Sequence, residues 1–228
     1  MIIYSDEDII VVNKECGQAV QPGPTVSDSL IENLKEEYGK LFLIHRLDTP
    51  VSGIIVFART KKSAAALSSQ FGSSDVEKKY ICAVDNAPPS EAGRLEDNIH
   101  VPSGNKANKV YIRDEAGRGT KKAVIDYKTI YRTDRYFILE VLLQTGRRHQ
   151  IRVQLANAGC HVKGDIKYGA RRTNRGGGIH LHALSLSFDH PRSGERRSFT
   201  APLPDESLWN AVSIGADLPS SLEQDDNK

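Results

Sequence analysis

The sequence predicts an α+β fold, a mixed and largely antiparallel sheet with flanking helices and loops. Runs of β-branched and aromatic residues recur along the chain. Segments with helical apolar spacing are scattered among them, and the two do not follow the regular βαβ alternation of a parallel sheet. With 228 residues and 39% hydrophobic content, the chain can build one sizeable core. Residues 1–215 read as a single domain and 216–228 as a polar, disordered tail.

Met1–Lys14 reads as two short strands around the turn Ser5–Asp8. Gln21–Pro24 breaks the chain, and Thr25–Tyr38 has a helical stripe of Leu30, Ile31, Leu34 and Tyr38. Thr25 and Asp28 resemble a capping box, and Gly39 closes the helix. Leu41–Ile44 is a short apolar run, interrupted by the polar stretch His45–Pro50. Gly53–Ala58 is a buried strand. Lys61–Phe71 is a helix capped by Thr60 and ended by Gly72. Lys79–Val84 is a strand. Pro88–Gly119 is rich in Gly, Pro and charge, and predicts loop with one strand near Val110–Ile112. Val124–Tyr131 and Tyr136–Leu143 flank Thr133–Arg135 and read as a hairpin. Arg148–Ala158 predicts a helix ended by Gly159. Leu184, Leu186 and Phe188 alternate with serines in a strand, Pro191–Gly194 is a turn, and Pro204–Val212 is a short helix.

The formal net charge is only +2. Yet Gly146–Arg175 holds eight basic residues against one acid, Asp165. Such a concentration suits a polyanion-binding face, and equally an ordinary solvated surface. Cys16, Cys82 and Cys160 form neither a CxxC nor a Cys/His ligand spacing, so free thiols are expected and a zinc site is not. MIIYSDEDII has no basic segment before an apolar run, and no apolar run approaches a membrane span. A soluble, cytoplasmic monomer is expected.

Two segments carry chemistry. In Ile44–Gly53, His45, Arg46 and Asp48 lie between two apolar runs. Charges at the junction of buried strands need partners; a structural Arg–Asp pair and an active-site carboxylate both fit. In Thr145–Val153, Gly146 permits a turn, and Arg148 and Arg152 fall four apart on one predicted helical face. An anion between them, a phosphate or a carboxylate, accounts for that spacing, and a solvated face is the alternative. His149 reads as an ordinary helix histidine.

His45-Arg46-Leu47-Asp48 followed by Ser52-Gly53 resembles the HRLD…SG signature of the RluA-type pseudouridine synthases. Val12-Asn13-Lys14 with Gly17 resembles that family's opening strand. Glu77–Tyr80 resembles its KxY segment, Thr145–Val153 its TGRxHQIRVH, and Gly164–Gly169 its GDxxYG. Leu181-His182-Ala183 and Phe188–Pro191 are similar to its closing strands. The resemblance spans about residues 8 to 205, in the family's order. Arg148 departs from the usual Thr or Ser, Gln154 from the usual His, and residues 100–122 do not align readily.

The resemblance implies the family's catalytic domain without a preceding S4-like RNA-binding domain. It implies an isomerase, an intramolecular transferase that breaks the N1–C1′ bond of a uridine in RNA and forms a C5–C1′ bond, with no metal and no cofactor. Asp48 would be the nucleophile, attacking either C1′ of the ribose or C6 of the uracil. Arg152 would pair with it and Tyr80 would flank the base, its hydroxyl near the C5 proton. Arg46 would fill the space of an extruded base. His45, Arg147, Arg148, Lys163, Arg171 and Arg172 complete the expected RNA-binding set, and the RNA would be ribosomal or transfer RNA. Two other classes remain on the sequence: a non-catalytic RNA-binding or ribosome-assembly protein on the same fold, and a nucleoside hydrolase, which would want a second carboxylate near the first.

Overall fold

The computed structural model describes residues 1–23, 28–102 and 109–215, with side chains through residue 212. The expected tail, 216–228, lies outside the described residues. Among the described residues eleven strands form one sheet. In chain order these are β1 Ile2–Ser5, β2 Ile9–Lys14, β3 Phe42–Leu43, β4 Ser52–Ala58, β5 Glu77–Val84, β6 Ala92–His100, β7 Tyr111–Arg113, β8 Thr120–Arg132, β9 Phe137–Leu143, β10 Leu181–Asp189 and β11 Arg196–Thr200. The helices are α1 Leu30–Tyr38, α2 Lys61–Gly72, α3 Gln150–Asn157 and α4 Ser207–Gly215.

Across the sheet the order is β1-β2-β4-β10-β5-β9-β8-β6-β7, with β3 on β4 and β11 on β10. Among the described residues the pairing is antiparallel except at β4 and β10. The α+β, largely antiparallel expectation therefore holds. Along one edge of β10, the first residues meet β4 in parallel (His182 opposite Ser52, Ala183 opposite Gly53) and the later ones meet β11.

Period-two alternation sends the strands' side chains to two cores. Cys82 and Val84 of β5 and Leu139 and Val141 of β9 join a large cluster with β2, β4 and α1. Ile81, Ala83 and Ile138 point the other way, onto Trp209 and Val212 of α4. A third cluster joins Val153 of α3 and Tyr168 to Ile99, Val110 and Ala123 at the far end of the sheet. The three cysteines are free; Cys82 and Cys160 are buried and Cys16 half-buried.

Three sequence expectations change. The first helix begins at Leu30 behind Ser29, whose side chain makes no capping bond; Thr25 lies outside the described residues, and Asp28 precedes the helix. The stretch expected as loop after Pro88 contains β6, nine residues paired in full register with β8. Only Ile99 of β6 is buried, so it shows no apolar alternation to read. Its hydrogen-bond ladder is reinforced by cross-strand ion pairs, Arg94 with Asp126 at 2.6 Å and Glu96 with Lys122 at 2.6 Å, as charged neighbours on a solvated sheet face allow. Third, α3 starts at Gln150, not Arg148, because His149 takes a left-handed backbone conformation. Arg148 is outside the helix, so the shared helical face of Arg148 and Arg152 does not form.

Candidate active site

Asp48 lies in the loop between β3 and β4, and backbone bonds shape that loop. Val51 N–H donates to Asp48 O at 3.0 Å and Gly17 N–H to Thr49 O at 2.8 Å. Lys14, 1% exposed, donates its Nζ to the carbonyls of Glu15, Gln18 and Thr49. An ammonium buried this deeply needs all of those partners; burial lowers it to about 8, opposed by Cys16 and Asp48. The lysine thus ties the end of β2 to the segment just after Asp48.

At the other end of the loop, Ser52 and Gly53 dock β4 on β10. Ser52 Oγ lies 2.9 Å from Nδ1 of fully buried His182. Gly53 has φ 112°, and a Cβ there would overlap the Ala183 backbone. Only glycine allows that approach. His45 is committed to the same framework. Val56 N–H donates to its Nε2 at 3.1 Å, and the ring stacks on Phe71 with centroids 4.6 Å apart. Burial, with help from Lys78, pushes its pKa down to about 3. The His45 ring is thus held by the framework beside Asp48, with intermediate exposure.

Arg152 rises from α3, 4% exposed. Its Nη1 donates to Asp48 Oδ2 at 2.8 Å. Its Nε and Nη2 grip both oxygens of Asp165 at 2.7 and 2.8 Å. Burial works against the guanidinium, but the bonds to Asp165 and then Asp48 outweigh it, and its pKa is raised. The Tyr168 ring lies beneath it, 5.0 Å from Cζ. The expected Asp48–Arg152 contact is present, and Asp165 is the partner that sequence reasoning counted only as the lone acid of a basic stretch.

Asp165 is placed by the Gly164–Gly169 turn. Tyr168 and Ala170 N–H groups donate to its carbonyl. Gly164 at φ 89° leaves room for Asn174, and Gly169 at φ 110° for the His161 ring. The turn before α3 is locked by Gln150, 3% exposed. Gln150 accepts from Thr145 Oγ1 and Arg147 N–H at 2.9 Å each and donates to Val124 O at 3.1 Å.

Two adjoining cavities open on Asp48. A cleft of about 510 Å³ is lined by Arg46, Asp48, Arg148, His149, Arg152 and Lys167, with the backbone around Gly177 on its far wall. A pocket of about 70 Å³ is lined by Tyr80, Leu143, Leu181, Val51, Arg147 and again Arg46 and Asp48. Tyr80 is half-buried; burial and then the Asp48 charge raise its pKa, so its hydroxyl stays protonated. Arg46, Arg147, Arg171 and Arg172 are exposed and Arg148 is half-exposed. Lys163 instead turns inward, bonded to Asn174 Oδ1 at 2.7 Å and 3.3 Å from His180 Nδ1.

Residues 8–157 match the family model described as RNA pseudouridylate synthase. The chain belongs to the RNA pseudouridylate synthase family. Within that family it is 33% identical over 90% of its length to the "Uncharacterized RNA pseudouridine synthase YlyB" of Bacillus subtilis, and spans 69% of that relative. It is 32% identical over 99% of its length to a "Ribosomal large subunit pseudouridine synthase D" of Neisseria meningitidis, and spans 64% of it. The pseudouridylate synthase fold is also seen in the solved structure titled "Human RNA Pseudouridylate Synthase Domain Containing 4". That structure superposes with TM-score 0.75 and 24% identity, covering 96% of this chain and 94% of the other. Among the described residues, no helix of this synthase is long and apolar enough to cross a membrane.

Proposed function

We propose that this pseudouridine synthase acts on large-subunit ribosomal RNA, with Asp48 as its nucleophile. One observation carries the mechanism: a carboxylate 23% exposed at the junction of two cavities, bonded through Oδ2 to a buried arginine. The buried guanidinium gives that carboxylate a charge-assisted hydrogen bond, and nucleophilic attack needs the ionised form. The names of the similar ribosomal large subunit synthases support the choice of RNA.

In this reading the target uridine leaves its stack and enters beside Asp48. Asp48 attacks C1′ of the ribose or C6 of the uracil, the N1–C1′ bond breaks, the base turns, C5 bonds to C1′, the bond to Asp48 breaks, and the C5 proton is lost as N1 gains one. Tyr80 offers the base its ring and a protonated hydroxyl. Arg46, exposed at the mouth of both cavities, fills the place of the extruded base. Arg147, Arg148, Arg171 and Arg172 contact phosphates and offset the cost of unstacking. The nucleoside-hydrolase alternative loses support because both oxygens of the second carboxylate, Asp165, are held by Arg152.

The test is tritium release from uridine-labelled transcripts of large-subunit ribosomal RNA and of transfer RNA. Wild type should form pseudouridine in the ribosomal transcript alone. Asp48→Asn, nearly isosteric, should reduce product to background while its melting temperature stays close to wild type. Turnover by Asp48→Asn removes the nucleophile assignment. Modification of transfer RNA alone removes the ribosomal target, and free uracil as the product restores the hydrolase.

A further inference from the structure

His149 has φ 51°, the one positive φ outside glycine among the described residues. A β-carbon makes that conformation costly, and such strain persists where the surroundings hold it for a purpose. Here it turns the imidazole inward, 7% exposed, with Nε2 3.6 Å from Asp48 Oδ2. Its Nδ1 lies 2.8 Å from Tyr168 Oη. Tyr168 Oη in turn accepts the Val110 N–H at 3.0 Å.

This chain has a definite direction. Val110 has only a donor to give, so Tyr168 Oη accepts from it. The tyrosine's own proton then goes to His149 Nδ1. Burial raises the Tyr168 pKa, so that proton is retained. With Nδ1 accepting, the imidazole proton sits on Nε2, facing Asp48. The opposite tautomer would aim a lone pair at a carboxylate and leave the buried tyrosine proton without its acceptor.

We propose that His149, set in its Nε2–H tautomer by Tyr168, is a positioning residue that holds Asp48 Oδ2 beside Arg152 and leaves Oδ1 for attack. The inference rests on Asp48 being the nucleophile. Arg152 grips Oδ2 of Asp48, and His149 supplies a second, neutral donor to the same oxygen that closes from 3.6 Å to hydrogen-bond distance when RNA fills the cleft. A neutral donor orients the carboxylate without forming a second ion pair, so its nucleophilicity is kept. The groups facing the ring agree with neutrality. Burial lowers its pKa to about 4; Asp48 opposes this, and Arg152, Lys167 and Arg148 add to it. No proton is transferred by His149 in this role.

Two measurements test the proposal. The first is the long-range proton–nitrogen spectrum of the 15N-labelled wild-type protein at pH 7. It should show His149 as the neutral Nε2–H tautomer, and Tyr168→Phe should shift the ring toward a tautomer mixture. A charged ring or an Nδ1–H tautomer in wild type overturns the inference. The second is the single-turnover rate on the ribosomal transcript. Tyr168→Phe should be slowed by roughly tenfold, the scale of one hydrogen bond to a charged group, with RNA affinity unchanged and a flat profile from pH 6 to 8. His149→Gln places an amide N–H near the Nε2 position and should retain more activity than His149→Asn, which reaches only the Nδ1 position. A backbone role alone would give the reverse order, because Asn tolerates a positive φ better. Wild-type rates in Tyr168→Phe and His149→Asn, beside an inactive Asp48→Asn, would sink this inference and leave the nucleophile standing. An active Asp48→Asn would sink the nucleophile instead.

Discussion

Arg152 is the residue on which two carboxylates depend. It offers Nη1 to Asp48 and Nε with Nη2 to Asp165, and the planar fork is what lets one side chain serve both. Arg152→Ala would leave two acids facing each other's field without a cation. Removing one partner from a buried pair costs roughly 3–5 kcal/mol, so a drop of that size in urea stability is expected together with loss of turnover. Arg152→Lys keeps the charge but presents a single ammonium, and should fall between the two. Wild-type stability in Arg152→Ala would show that solvent already neutralises the pair. At this scale the sequence was partly legible. Asp48 and Arg152 were found, the latter through a motif. Asp165 belongs to the Gly164–Gly169 motif, but nothing local in that turn says that it meets Arg152. Helical spacing makes His149 an ordinary helix residue, since it says nothing of a left-handed backbone one residue before a helix.

Gly53 shows how an element boundary can decide an active site. The strand pair β4–β10 is the parallel pairing among the described residues and spans only two residue pairs. Ser52 and Gly53 hold it, and Asp48 lies five residues upstream. Gly53→Ala adds a Cβ into the Ala183 backbone at φ 112°. Overpacking and a left-handed backbone together cost about 3 kcal/mol or more. We expect a correspondingly lower urea midpoint and, in the folded remainder, a slower single-turnover rate as the Asp48 loop shifts. Unchanged stability would mean that β4 and β10 can separate freely. Strands with apolar alternation, such as β9 and β10, were legible from sequence; β6 was not, because Ile99 is its one buried residue and the ladder with β8 holds the strand. The α1 start differs because Thr25 and Asp28 mimic a capping box, whereas the helix begins behind Ser29.

For the whole molecule, buried imidazoles set the acid limit. Burial lowers His149 and His182 to about 4, and His180 to about 4 with Lys163 adding; His45 falls to about 3. A histidine depressed in the folded state is protonated first in the unfolded chain as pH falls. Its contribution is therefore whole above the ordinary value of 6.5 and is lost between there and about 4. Each group at about 4 is worth up to roughly 3 kcal/mol across that window. A protein of ordinary stability, about 5–15 kcal/mol, should then unfold near its lower end. The urea midpoint should be level from pH 8 to 6.5 and fall steeply below; a level profile down to pH 4 would contradict the buried, neutral state. The basic surface gives a second whole-molecule expectation. Changing Arg147, Arg171 or Arg172 to Ala should each flatten the log–log salt dependence of ribosomal RNA binding by up to about one. An unchanged slope in all three would place the RNA elsewhere.

The sequence by itself determined the family, the α+β class and most strands, and offered Asp48, Tyr80 and Arg152 as candidates through the family motifs, because alternation, glycine turns and spaced motifs are local signals. Tertiary structure alone decided which charges meet. Of the eight basic residues in 146–175, Arg152 is buried between two aspartates and Lys163 is bonded to Asn174, whereas Arg147, Arg171 and Arg172 stay exposed. The physical reason is range. Charge composition is read along the chain, but desolvation and pairing act through space, and Asp48, His149, Arg152 and Asp165 are brought together only when β4, α3 and the 164–169 turn pack around one site.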